Sequence, residues 1–423
     1  MSSFLSSTRV DLDNPGTIIN DVYYDNKQIV VQDSEVNTHI GRYSQSLTAL
    51  SFGSTSQVVI PNQDICHEVF IHLELPNIVA NQTLARGWGF SAIREVSFTW
   101  GQSNVSNLRL SGKSILQLCL ESCETKEKRS SVYDLAGQNY TAATTVNPTS
   151  TIILPMPWSN NCGLAKKKGF DTSILNNPIT IQITLNDANK IGYGSTAALP
   201  TALTSGKVFL RQSEFADRSN SLKMALAQNP SLMYQYPLYH KYSPSIKNNI
   251  VMDGVTENVL DLQEFINSDL QGIVFSVHNT GLQITTGTNA PMPSFATQLK
   301  DISLVYNGQT LFQLDGFSAE LSNILFSPGA TGYDGLIMPQ AFPHTATIAN
   351  DSYIYTIPFG SMKPINFEYK YDNTGRYSSQ TMQLRFKALP IAGGATGVGE
   401  MHSTYIYSGV AAIQNGICTL EFA

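Results

Sequence analysis

The chain has 423 residues, 42 % of them hydrophobic and 10 % aromatic, which is too long for one core and sufficient for two. Charged residues are only 14 %, against roughly 25 % in an average soluble protein. The formal net charge of −6 excludes broad coating of nucleic acid, which needs a positive field. The polar remainder, Ser, Thr, Asn and Gln, can be buried against copies of itself with little charge desolvation. A β-rich protein with many polar turns shows the same bias.

Residues 1–60 read as an N-terminal arm with first strands at QIVVQ and SQVVI. The opening MSSFLSSTRVDLDN has no basic region followed by an apolar core, so no signal peptide is expected. Ser2 excludes N-myristoylation, and no apolar run approaches the roughly 18 residues of a membrane span. Val69–Leu75 is a strand ended by Pro76. Ile93–Trp100 is a second, with Arg94, Val96, Phe98 and Trp100 on one face and Glu95, Ser97 and Thr99 on the other. Leu108–Leu110 is short and extended. Ser111 then caps a helix to about Arg129, with Ile115, Leu118, Cys119 and Ser122 as its inner stripe. Tyr133–Asn147 reads as loop and Thr151–Leu154 as strand. Pro155 and Pro157 exclude a central strand beyond it. Ile179–Leu185 alternates cleanly, with its Ile and Leu residues inward. Residues 187–206 form a long loop, and Val208–Leu210 closes the first domain.

Arg218–Gln228 has a helical pattern, stopped by Asn229-Pro230. The tyrosines within Tyr234–Tyr242 are too apolar for a free linker and are expected to pack between domains. Ile273–Val277 begins a second set of strands and matches Val69–Leu73. Gly281–Pro293 and Ser327–Asn350 are loops, and Ala392–Gly399 is a tip. Tyr405–Tyr407 and Ile417–Phe422 finish the sheets.

The order repeats. Ile93–Trp100 matches Leu299–Tyr306, Leu110-Ser111-Gly112 matches Leu314-Asp315-Gly316, and Pro157-Trp158 matches Pro358-Phe359. Thr180–Leu185 matches Thr381–Phe386. Four matches in the same order at nearly constant offset argue for a duplicated domain. Asp315 then caps a second helix, with Phe317, Leu321, Ile324 and Leu325 inside. The organisation is an arm over 1–60, a sandwich over 61–215, a connector over 216–243 and a second sandwich over 244–423. The fold class is all-β, with one short helix inserted in each half.

No chemistry is assigned. The histidines at 39, 67, 72, 240, 278, 344 and 402 have no metal-ligand spacing, and His72 beside Cys66-His67 reads as structural. Cys119 and Cys123, one helical turn apart, lack the partners that complete a tetrahedral zinc site. Cys66, Cys119, Cys123, Cys162 and Cys418 are odd in number and irregularly spaced, which fits a reducing compartment. The basic runs 126–129 and 166–168 read as solvated loops. Sequons at Asn81, Asn104, Asn139 and Asn350 are chance matches without a secretory route. No nucleophile elbow, phosphate loop or dinucleotide fingerprint occurs. No catalytic, cofactor-binding or metal residue is named, no cofactor is expected, and the chain is not expected to be an enzyme.

The run IREVSFTWGQ, the helix SGKSILQLCLESCETKEKR, then TIILPMPWSNNCGLA and NPITIQITL, resembles the major capsid proteins of large double-stranded DNA viruses and their relatives. Leu154, Pro155, Pro157 and Trp158 match that family's Leu-Pro-x-Pro-aromatic step, and Gly163-Leu164-Ala165 match the stretch that follows. Trp158 stands where Phe is usual, and Lys166–Lys168 where a more apolar run is usual. The resemblance implies a double jelly roll, two tandem eight-stranded sandwiches. It implies a homotrimer, a pseudo-hexagonal capsomer that tiles an icosahedral shell of the virion. Implied partners are neighbouring capsomers, penton, minor capsid or cement proteins and an internal membrane, with no sequence-specific nucleic acid. Loops 187–206 and 327–350 would form outer towers, and the arm and the tyrosine-rich connector would face the inner side or the trimer seam. The rivals are a scaffold or minor capsid protein of the same fold and a tandem sandwich that binds carbohydrate at a host surface.

Overall fold

The computed structural model describes residues 8–10, 18–20, 35–63, 65–80, 82–84, 87–99, 108–121, 126–138, 143–156, 169–194, 199–215, 228, 233–262, 269–279, 296–297, 299–314, 341–342, 350–351, 355–358, 362–365, 368–371, 375–376, 382–389 and 397–422. The first half contributes strands Glu35–Ser46 (β1), Thr55–Ile60 (β2), Ile65–Glu74 (β3), Ile93–Thr99 (β4), Leu108–Leu110 (β5), Thr149–Leu154 (β6), Ile179–Leu185 (β7) and Ser205–Phe215 (β8). The second contributes Met233–Met252 (β9), Asn258–Asp261 (β10), Asp269–Asn279 (β11), Leu299–Tyr306 (β12), Gln309–Leu314 (β13), Tyr355–Pro358 (β14), Met382–Ala388 (β15) and Gly397–Gln414 (β16).

The two halves are wired alike. In the first, β1, β8, β3 and β6 lie side by side in one sheet and β2, β7, β4 and β5 in the other. In the second, the orders are β9, β16, β11, β14 and β10, β15, β12, β13. Even a minor strand recurs: Phe170–Asp171 pairs with the start of β3, and Gly375–Arg376 with the start of β11. All these pairs are antiparallel. Each half is therefore a sandwich whose chain moves between two sheets, and the duplication read from sequence is a duplication of topology.

Alternation builds the cores. β7 and β15 each bury every second residue, Ile179, Ile181, Ile183 and Leu185 in one and Met382, Leu384, Phe386 and Ala388 in the other. β4 departs from strict alternation. Leu185 lies opposite Ile93 and Thr184 opposite Glu95, so Arg94 is an extra residue in a bulge. The bulge turns Arg94 outward and Ile93 inward, which corrects the face expected for Arg94. The second copy has the same device. Lys387 faces Lys300 and Arg385 faces Ser303, with Asp301 at φ +53°.

Register also corrects the internal alignment. Phe98 lies opposite Ile181, and its match Leu304 lies opposite Leu384. The sequence match sets Ile181 against Met382, two residues away. Likewise Leu154 pairs with Val69 while Ile357 pairs with Ile273, where the sequence match sets Leu154 against Tyr355. A slip of two keeps every side chain on its face, so alternation alone does not detect it.

Several boundaries move. β1 and β2 belong to the sheets of the first sandwich, so it starts by Glu35 rather than at 61. SQVVI is strand β2, and QIVVQ lies outside the described residues. The tyrosine-rich stretch is not an interdomain linker but part of β9, because its backbone pairs along β16 and extends the sheet. The helix after Ser111 is two helices, Gly112–Glu121 and Lys126–Leu135, so the basic run at 126–129 is helical and Tyr133–Leu135 is not loop. Tyr133 and Ala136 are buried in the first core, with Val132 packed against it, and this anchors the second helix. Within the loop expected over 187–206, Ile191 and Leu203 are buried and Gly192–Gly194 pairs with Gln82–Leu84, while residues 195–198 lie outside the described residues. The second inserted helix, after Asp315, falls outside the described residues, as does the Arg218–Gln228 segment apart from Gln228 itself.

Candidate functional site

The polar centre of the molecule is the seam between the sandwiches, and the helix Gly112–Glu121 (α1) forms it. Ser111 starts α1: its Oγ accepts from the Ser114 backbone N–H at 3.0 Å, and its carbonyl accepts from Ile115 N–H at 2.9 Å. Gly112 is required by space. A Cβ there would lie 1.8 Å from the Phe90 carbonyl oxygen. Ile115, Leu116, Leu118 and Cys119 are buried in the first core. Ser114 and Gln117 are also buried, so α1 has no open face over these turns. Lys113 and Gln117, four residues apart, share the side that meets the second sandwich.

That sandwich presents the outer face of β11 and β16. Its inner face carries Ile273, Phe275, Val277, Met401 and Tyr405. Its outer face carries Val274, Ser276, His278, Glu400, His402 and Thr404, and Val274 packs into the first core. Gln117 Nε2 donates to Ser276 Oγ at 2.6 Å and to the His402 carbonyl at 3.0 Å. Its Oε1 accepts from Thr404 Oγ1 at 3.2 Å. Ser276 Oγ lies 2.8 Å from His278 Nε2.

Beside this amide lies a charged triad. Lys113 Nζ donates to Glu400 Oε1 at 2.6 Å and lies 3.2 Å from His402 Nε2, which is 2.7 Å from the same Glu400 oxygen. Burial lowers the Lys113 pKa against the pull of Glu400. Burial pushes Glu400 upward, but the hydrogen bond from His402 and the charge of Lys113 outweigh it and hold the carboxyl well below its usual range. His402 is lowered, first by burial and then by Lys113, over the opposing effect of Glu400. One carboxylate thus serves two basic groups, with His402 buried and Lys113 and Glu400 half-buried.

A second clasp lies at the C-terminal hairpin, where β16 turns through Asn415-Gly416 into Ile417–Phe422. Asn176 of the first sandwich donates its backbone N–H to the Gly416 carbonyl at 2.8 Å and its side-chain amide to the Asn415 carbonyl at 2.7 Å. Ile413 and Cys418 of this hairpin pack into the first core. The chemistry of the seam is adhesion, two sandwiches held in one relative position. Among the described residues, no group of three or more His, Cys, Asp or Glu is placed to hold a metal ion, and no helix is long and apolar enough to cross a membrane.

Solved structures share this fold over nearly the whole chain. The PBCV-1 Vp54 structure fitted into a reconstruction of the virophage Sputnik aligns with TM-score 0.63 and 11 % identity, covering 92 % of this chain and 97 % of that one. The fold is the double jelly roll. The Sputnik virophage structure aligns with TM-score 0.57 and 12 % identity, over 92 % of this chain and 90 % of that one. The Faustovirus major capsid protein aligns with TM-score 0.54 and 8 % identity, over 89 % and 91 %. No family model matches the chain, and no curated protein matches it.

Sequence reading left the polar seam unnoticed. It placed His402 and His278 among histidines without spacing and gave α1 an apolar stripe that omits Gln117. A signal was present: Glu400, His402 and Thr404 alternate on one strand face, as do Ser276 and His278. Their burial is set by a helix more than 150 residues away in sequence, at the separation of 159 that parts Gln117 from Ser276. His72, read as structural, has its Nδ1 2.9 Å from Thr151 Oγ1 on the neighbouring strand.

Proposed function

We propose that this chain is a viral capsid protein that assembles through copies of itself into a trimeric, pseudo-hexagonal block. The observation that carries the reading is the double jelly roll matched across 92 % of the chain, with both rolls included. Neighbouring blocks, penton or minor proteins and an internal membrane would be its partners in the shell, the virion its location. No catalytic role belongs to this reading.

The seam supplies a physical argument for three chains. In the second roll, α1 covers the outer face at Val274, Ser276, His278, Thr404, His402 and Glu400. The matching face of the first roll carries Phe70, His72, Glu74, Phe209, Lys207 and Ser205, paired in the same order. There Phe70 and Phe209 stack, with ring centroids 4.8 Å apart and planes 9° apart, and both rings are half-buried. If the second roll's helix, expected after Asp315, repeats the contact that α1 makes, its target is this face on another chain. Such head-to-tail contacts close into a ring of six rolls when the rotation is one sixth of a turn, which is three chains. Obligate interfaces of this kind bury roughly 2,000 Å² or more.

Light scattering at high concentration tests the reading. The expected species has three times the 46.3 kDa of one chain. Phe209→Asp is expected to yield monomers with unchanged far-ultraviolet circular dichroism. A wild-type monomer at high concentration, or a Phe209→Asp trimer, overturns the proposed ring.

A further inference from the structure

We infer that the seam between the rolls is a proton-sensitive latch, in which a second proton on His402 releases α1 from the outer face of the second roll. His402 is 6 % exposed and stands at the middle of the contact. Its Nε2 faces Glu400 Oε1 at 2.7 Å. A carboxylate only accepts, so Nε2 carries the hydrogen and Nδ1 is the free base of the neutral ring. Nδ1 is buried and has no hydrogen-bond partner among the described residues. A proton added there creates a buried donor without an acceptor.

It also adds charge where charge is already balanced. The titratable and charged groups that meet at His402 among the described residues are Glu400 on β16, His278 on β11, Lys113 on α1 and, further off, Lys190 in the turn of residues 188–190. Glu400 supplies one negative charge, already shared with the Lys113 ammonium. An imidazolium would leave two cations facing one carboxylate, with Lys113 Nζ 3.2 Å from His402 Nε2. The His278 ring meets that of His402 edge-on at a centroid distance of 5.3 Å. Parting α1 from the sheet is the relief, because it opens the buried His402 to water and separates it from Lys113.

The direction with pH follows. The folded pKa of His402 lies below its ordinary 6.5, so the unfolded or parted state binds the proton more tightly. The seam is fully held above the ordinary value and weakens as pH falls through it toward the folded value. Glu400 stays ionised across that window, because its carboxyl is held below the ordinary 4.5. Loss of the carboxylate therefore does not account for release. In an assembled shell, acid would loosen the link between rolls; that consequence rests on the capsid reading, and the latch itself does not.

Hydrogen exchange on the full chain, corrected for the intrinsic pH dependence of exchange, reads the latch directly. Between about pH 7.5 and about pH 5.0, exchange in residues 112–121 is expected to rise several-fold, while the core strand β7 stays protected. His402→Gln keeps a donor toward Glu400 and cannot titrate, so its α1 exchange is expected to be flat with pH. Lys113→Met removes the competing cation, brings the folded pKa of His402 back toward its ordinary value and is expected to shrink the rise. Unchanged α1 exchange in the wild-type chain overturns the latch, whatever the variants do. So does an undiminished rise in His402→Gln. The measurement can be made on monomer or trimer, so failure of the latch and failure of the capsid reading are separate results.

Discussion

Gln117 directs all three of its amide hydrogen-bonding contacts to the other roll, and its own side chain is buried. Gln117→Ala leaves Ser276, Thr404 and the His402 carbonyl without that partner. The expected loss is about 2–3 kcal/mol in urea unfolding, the cost of buried polar groups left unmatched. The cysteines make a second prediction at this scale. Cys66 and Cys418 are free and buried, and Cys119 is buried. Burial pushes the Cys66 thiol to about 12, with Arg211 opposing and Glu68 adding to the rise, and burial alone takes Cys418 to about 12. Thiolate is the reactive form, so both are expected to resist iodoacetamide at neutral pH and to label only in denaturant, as mass spectrometry would read. From their odd number and irregular spacing, a reduced, non-framework set of cysteines is the expectation. Sequence did not show which polar residues would be buried, because Gln117 and His402 look like ordinary surface residues until the two rolls meet.

Among the elements, α1 carries most of the consequence. Ser111→Ala removes the cap on the Ser114 N–H and is expected to cost about 1 kcal/mol. Gly112→Ala forces a Cβ into the Phe90 carbonyl and is expected to cost more than Ser111→Ala in the same urea titration. At the strand edges, the two copies reach one end by unlike residues. The outward backbone groups of Val59 on β2 are met by side chains of β1: Gln45 accepts from its N–H at 3.0 Å, and the Tyr43 hydroxyl donates to its carbonyl. In the second copy Asn258 on β10 does this alone for Val251 on β9, accepting at 2.8 Å and donating at 2.9 Å. Satisfied edges are poor templates for stray pairing. The strands themselves were legible, since β7 and β15 announce their period. The edge caps were not, because Gln45 and Asn258 share neither position nor type.

Taken whole, the two rolls are one packed body over the described residues. Val274, Ile413 and Cys418 of the second roll lie in the same apolar cluster as Val69, Ile71 and Leu118 of the first. The duplication therefore does not predict two independent unfolding units. Calorimetry at neutral pH is expected to show one cooperative transition whose calorimetric and van't Hoff enthalpies agree. Two resolved transitions would contradict a shared core. The same packing leaves the stacked Phe70 and Phe209 half-buried on the first roll while their counterparts are covered, and that asymmetry within one chain is what the proposed ring would complete.

By itself the sequence determined the duplication, the β class and the strands that carry alternating side chains. These follow from local period and from order along the chain, and both survive without knowledge of contacts. Tertiary structure alone decided the bulges at Arg94 and Asp301, the two-residue slip between the copies and the burial of Gln117 and His402. A slip of two leaves a period-two pattern unchanged, and a polar residue reads the same whether water or another domain satisfies it. Only the pairing of strands and the docking of α1 on β11 and β16 distinguish those cases.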